Sequence, residues 1–126
     1  LFNFAFSFKV NYVSTLFGRR RYLPDINSPN FNLRALAERT AMNTPVQGTA
    51  ADIIKKAMVI VQNGLSAKGL KSRMLLQVHD ELVLEVVAVE LPVVSALLKD
   101  AMENAVKLSV PLSVEVKQGP NWAETK

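Results

Sequence analysis

The hydrophobic period of this chain changes at Gly69, and that change constrains the fold more than any other feature. Upstream, Ala50, Ile53, Ile54, Ala57, Met58, Val61 and Leu65 recur at helical spacing on one stripe, with Lys55, Lys56 and Gln62 off it. Gly69 stops the stripe. Downstream, Arg73 to Glu81 and Leu82 to Val87 are Leu- and Val-rich β runs that meet at His79-Asp80-Glu81. Polar residues between such apolar neighbours predict a tight turn joining antiparallel strands. A second amphipathic helix is predicted from Pro92 to about Val106, with Val93, Val94, Leu97, Leu98, Ala101, Met102 and Ala105 on one face. Leu112, Val114 and Val116 then alternate with Ser113 and Glu115 as a last strand, broken at Gly119-Pro120-Asn121.

The first third adds two pieces. Phe2, Phe4, Phe6 and Phe8 alternate with smaller residues, which predicts a strand. Tyr12 to Leu16 and Arg20 to Leu23 flank Phe17-Gly18-Arg19, and a positive φ at Gly18 would close them into a hairpin. Pro24 to Asn30 has loop chemistry. Leu33, Leu36, Ala37 and Ala41 then predict a helix with Asn32 as N-cap, which Pro45 should end or kink. From Leu33 the order is helix, strand, strand, helix, strand. The fold class is α+β: a small antiparallel sheet with helices packed on one face.

Composition narrows the function classes. The 126 residues are 49% hydrophobic and 21% charged, as in a globular chain. The absence of cysteine excludes disulfides and thiolate metal sites and fits a reducing compartment. No apolar run approaches a membrane span, so no membrane partner is expected. The start lacks a signal peptide's basic leader and does not begin with Met, so residue 1 reads as a cut, a processing site or the edge of an incomplete gene model. Residues 1–63 hold 8 Lys/Arg against 3 Asp/Glu, and residues 64–126 hold 7 against 8. A basic half beside a near-neutral one suggests either a polyanion met on one side or chance clustering on a solvated surface.

Four groups could carry chemistry. In His79-Asp80-Glu81, neighbouring side chains of a turn or strand point to different sides, so the carboxylates do not chelate one ion as equals. Either one is a Mg²⁺ ligand with the other in support, or the three form a solvated turn. Gln47-Gly48-Thr49-Ala50-Ala51-Asp52 reads as the opening of the long helix, where a phosphate could bind, although a plain terminus capped by Thr49 fits the residues better. Arg39, Asn43 and Gln47 fall four apart and share one polar edge if the helix only kinks at Pro45. They suit nucleic-acid edges and phosphates, or simply solvent. Arg19-Arg20-Arg21 is a basic run in a hairpin that could meet backbone phosphate.

Taken together, these segments resemble a known family. Tyr12-Val13-Ser14-Thr15-Leu16-Phe17-Gly18-Arg19-Arg20-Arg21-Tyr22-Leu23-Pro24-Asp25 resembles the stretch that leads out of the fingers in family A DNA polymerases of the bacterial DNA polymerase I type. Ala37-Glu38-Arg39 and Asn43-Thr44-Pro45-Val46-Gln47-Gly48-Thr49-Ala50-Ala51-Asp52-Ile53 resemble the long helix that follows there. Gln77-Val78-His79-Asp80-Glu81-Leu82-Val83-Leu84-Glu85 resembles the third polymerase motif. Val110-Pro111-Leu112-Ser113-Val114-Glu115-Val116, with Asn121-Trp122, resembles the C-terminal strand and tail. Residues 12–126 would be the end of the fingers plus a partial palm, and residues 1–11 a divergent leader.

The resemblance implies a DNA-directed DNA polymerase that extends a primer 3′-OH with two metal ions, in replication and repair. Asp80 would be a ligand of the catalytic Mg²⁺ pair, and Glu81 the supporting carboxylate near the primer end. His79 would contact the primer terminus. Arg39, Asn43 and Gln47 would lie along the minor groove of primer–template DNA, and Arg19, Arg20 and Arg21 near the backbone. A dNTP would be a partner of the full-length parent, a cytoplasmic monomer at the bacterial nucleoid or an organellar one. The family's other essential Asp and its nucleotide-binding fingers helix would precede residue 1, so the chain alone is expected to be inactive. The competing class is a standalone nucleic-acid-binding module with a ferredoxin-like sheet. It needs aromatic residues on the sheet face, and the central strands carry none.

Overall fold

The computed structural model describes residues 10–125. The Phe-rich strand expected over residues 2–8 lies outside the described residues. The chain divides after Asp52 into two compact units.

In the first unit, β1 (Tyr12–Ser14) and β2 (Arg20–Tyr22) form the expected antiparallel hairpin, with Tyr12 opposite Tyr22 and Ser14 opposite Arg20. Its turn is closed by the Gly18 amide donating to the Thr15 carbonyl at 3.0 Å, with Gly18 at φ +85°. The following loop contains a 3₁₀ turn, Pro24–Asn27, whose Ile26 is fully buried. Leu23, Ile26, Ala37 and Ala41 form this unit's core, with Val13 against it.

Helix α1 runs without interruption over Phe31–Ala67. Its N-cap is Asn30, not Asn32: the Asn30 side-chain oxygen accepts from the amides of Asn32 at 2.9 Å and Leu33 at 3.4 Å. Those are the second and third helical residues, the donors a cap satisfies. Pro45 neither ends the helix nor opens a new one at Gln47. A proline inside a helix costs about 3 kcal/mol. Pro45 is itself buried, one turn beyond buried Ala41. Downstream, Ile54, Ala57, Val61 and Leu65 of the same helix are buried too. At about 1.5–3 kcal/mol for each large side chain, that burial outweighs one lost hydrogen bond.

The second unit takes up the rest of α1. Gly69 stops the helix as expected, at φ +62°. The Leu70 amide donates to the Leu65 carbonyl at 3.0 Å and the Gly69 amide to Ser66 at 3.1 Å, a Schellman motif whose left-handed residue favours glycine. Strands β3 (Arg73–Val78) and β4 (Glu81–Glu85) pair antiparallel, with a bulge between Met74 and Leu76. Helix α2 spans Leu91–Glu103 with Pro92 in its first turn. Val61 and Leu65 of α1 pack with Val94 and Ala101 of α2, and Leu70, Leu84 and Val86 close over them.

The α+β class holds, but the sheet is smaller than the sequence suggests. The described residues form two separate two-stranded sheets. Leu112, Val114 and Val116 keep their half-buried alternation, yet residues 112–116 form no strand. A strand is defined by a neighbour, and this segment is tied instead by the Val114 amide donating to Glu103 Oε1 at 3.1 Å.

Candidate functional site

The β3–β4 connection is a two-residue turn, His79-Asp80, and Glu81 is already the first residue of β4, opposite Val78. This places Glu81 on the second strand rather than at the end of the first. His79 stands at φ +53°, a left-handed conformation in which His, Asn and Asp are enriched among non-glycine residues. Gln77 Nε2 donates to the His79 carbonyl at 2.5 Å and braces the turn. Asp80 and Glu81 are exposed, and among the described residues neither carboxylate joins an ion pair or hydrogen bond. Being hard oxygen donors in adjacent positions, they suit a divalent cation in kind. They do not suffice in number, since no three His, Asp or Glu residues among the described residues could hold a metal together.

The base of this hairpin is fixed more firmly than its tip. Arg73 Nε and Nη2 both donate to Glu85 Oε2, at 3.0 and 2.8 Å, across the strand pair. Below it, Glu90 accepts from the Lys71 amide at 3.0 Å, the Ser72 amide at 2.9 Å and the Ser72 hydroxyl at 2.6 Å. The buried Ser72 hydroxyl in turn accepts from the Val87 amide at 3.1 Å. The Ser72 hydroxyl first, then the Lys71 amide, hold the Glu90 carboxyl below its ordinary pKa. Sequence reasoning missed this clamp. The one local signal was an acidic residue just ahead of a helix whose first turn holds Pro92.

Because α1 is continuous through Pro45, Arg39, Asn43 and Gln47 share one edge of it, and all three are exposed. Four residues advance an α-helix by about 40° past a full turn, so the three stay within one sector. Exposed Leu36, Met42 and Val46 lie near them on the same helix.

Gln47 to Asp52 is therefore mid-helix, without the free amides of an N-terminus, and the Thr49 hydroxyl donates to the Pro45 carbonyl instead of capping. The arginine run divides. Arg19 pairs with Asp52 at 2.8 Å. Arg20 lies over the Tyr12 ring, 4.6 Å from its centroid. Arg21 is exposed, with no side-chain partner among the described residues. The structure thus gathers His79, Asp80 and Glu81 at one tip in the second unit. The helix edge and the arginines belong to the first.

The model of DNA polymerase family A matches residues 4–124. DNA polymerase I of Bacillus subtilis is 54% identical over 115 residues, covering 91% of this chain and 13% of that protein. DNA polymerase I of Geobacillus stearothermophilus is 56% identical over the same shares. Among solved structures, the POL domain of Pol1 from M. smegmatis, in complex with DNA primer-template and dNTP, superposes with a TM-score of 0.94 at 48% identity, covering 97% of this chain and 22% of that one. The chain belongs to DNA polymerase family A. It spans about 13% of the length of the curated relatives it matches. No helix among the described residues is long and apolar enough to cross a membrane.

Proposed function

We propose that this chain forms part of a DNA-directed DNA polymerase that adds deoxynucleotides to a primer 3′-OH along a template, in DNA replication and repair, and that its acidic hairpin tip supplies part of a two-metal site. The supporting observation is the tip itself: two adjacent carboxylates on a braced turn, pinned by no Lys or Arg among the described residues. An acidic pair with a structural task would be paired inside the fold, as Glu85 and Glu90 are. The Pol1 neighbour's complex with primer-template and dNTP supports the same partners here.

In this reading Asp80 is a ligand of the catalytic Mg²⁺ and Glu81 supports it beside the primer end. When bound, a pair of divalent ions would supply activation of the primer hydroxyl and stabilisation of the leaving pyrophosphate. The chain's own residues do the rest. His79 orients the primer terminus. Arg39, Asn43 and Gln47 present donors to the minor groove, where purine N3 and pyrimidine O2 acceptors occur at every correct pair, so pair shape is checked without reading sequence. Arg20 and Arg21 face backbone phosphate. The parent is a cytoplasmic monomer, and the 126 residues alone are inactive. The boundary at residue 12 belongs to the same proposal, although the family match begins at residue 4.

The test is primer extension by the full-length polymerase carrying Asp80→Asn. Turnover should fall by orders of magnitude with primer–template affinity retained, and near-normal rates in Mg²⁺ would overturn the ligand assignment. A standalone nucleic-acid module is disfavoured because β3 and β4 carry no aromatic residue for base stacking.

A further inference from the structure

One turn of α1 receives the tip of the basic hairpin. The Leu16 amide donates to Thr49 Oγ1 at 2.9 Å. Arg19 Nη2 donates to the Gly48 carbonyl at 3.3 Å, and its Nε to Asp52 Oδ1 at 2.8 Å. Gly48, Thr49 and Asp52 stand one and four residues apart, on one side of the helix. A Cβ on residue 48 would lie 2.8 Å from Thr15 Cγ2, so only glycine permits this approach. Thr15 is buried, and it grips Arg19 from behind: its amide donates to the Arg19 carbonyl at 2.9 Å and its hydroxyl accepts from the Arg19 amide at 3.2 Å. Arg19 is thus held by backbone and guanidinium together. The Asp52 side chain is 12% exposed against 54% for Arg19. Drawing Arg19 out to a phosphate would break its Nε–Asp52 pair and its Nη2–Gly48 bond together.

We propose that Arg19 is a positioning residue and not a DNA contact: through Asp52 and Gly48 it docks the β1–β2 hairpin on α1, and so fixes Arg20 and Arg21 relative to Gln47. The inference rests on the polymerase reading above. It also gives the Gln47 to Asp52 segment a task. Gly48, Thr49 and Asp52 are the seat of the hairpin, while Gln47 next to them faces the duplex.

The two roles of Arg19 predict opposite signs for one substitution. If Asp52 restrains a phosphate ligand, Asp52→Asn frees it, tightens DNA binding and steepens the salt dependence by up to about 0.9 in the logarithmic slope. If Asp52 seats the hairpin, Asp52→Asn weakens binding. The experiment measures primer–template dissociation constants of the full-length polymerase over a salt series. Asp52→Asn and Arg19→Gln should each weaken binding about fivefold to tenfold, and the double variant should be no worse than the poorer single one. Arg19→Lys should recover part of the loss. Asp52→Asn should keep the wild-type slope, whereas Arg21→Gln should lower it by about 0.9. Thr49→Val, which removes the Leu16 tie without altering charge, should weaken binding in the same direction. Tighter binding by Asp52→Asn, additive losses, or unchanged affinity in Thr49→Val would each overturn the role given to Arg19. Failure of the unsubstituted polymerase to bind primer–template would instead overturn the polymerase reading on which the inference stands.

Discussion

Among the described residues, two antiparallel hairpins of opposite charge handle that charge in opposite ways. The β1–β2 hairpin carries Arg19 at its turn and satisfies it inside the fold, on Asp52. The β3–β4 hairpin satisfies its charges at the base, through Arg73–Glu85 and the Glu90 clamp, and leaves Asp80 and Glu81 at the tip without partners among the described residues. A charged side chain in an internal pair is part of the architecture. One presented on a braced turn is available to a ligand. Sequence alone treats both runs as exposed charge; the hydrogen bonds separate them.

The comparison can be broken at its tightest point by Gly48→Ala. Alanine is the better helix former by about 1 kcal/mol, so propensity alone predicts stabilisation. The new Cβ would instead meet buried Thr15, and overpacking of that kind costs about 1–3 kcal/mol. We expect a lower melting temperature of the full-length polymerase together with weaker primer–template binding. A rise in melting temperature would mean that the hairpin is not seated on α1. On the helix edge, Gln47→Ala should lose about 1 kcal/mol of duplex binding or of discrimination against a mismatched primer end. If both were unchanged, the minor-groove role would go.

Much of this could be read from the residues, and the reasons differ for what could not. The acidic tip was visible because three polar residues interrupt two apolar runs. The C-terminus of α1 was visible because Gly69 has few other tasks after a helical stripe. The apolar stripe starts at Leu33 and so points to Asn32 as the cap, but the helix opens earlier, at Phe31, and Asn30 does the capping. The expectation that Pro45 ends the helix rests on a local rule, which does not register the burial on both sides of it. The 112–116 strand failed for a related reason, since alternation describes a face while a strand needs a partner. Arg19–Asp52 spans 33 residues and Ser72–Glu90 spans 18, and no local pattern announces either.

The acidic hairpin's base offers smaller tests. Hydrogen bonds hold the Glu90 carboxyl below its ordinary pKa, so its contribution to stability is complete above the ordinary carboxylate range and is lost as pH falls through the lowered value. Glu90→Gln should therefore lower the melting temperature near neutrality, and the gap to wild type should close in acid. A gap independent of pH would contradict the clamp. Arg73→Gln should matter least. Its pair with Glu85 is 71% and 59% exposed, and such pairs contribute about 0–1 kcal/mol. A larger loss of stability would show that the base of the hairpin depends on that pair.

The free acidic tip is tested most directly by the Mg²⁺ dependence of single-turnover nucleotide incorporation, with the full-length polymerase already bound to primer–template. Metal stabilisation of several kcal/mol corresponds to about a thousandfold in rate. Asp80→Asn should lose about that much and require more Mg²⁺ to reach its residual plateau, with DNA affinity unchanged. Superimposable Mg²⁺ curves for wild type and Asp80→Asn would contradict the account.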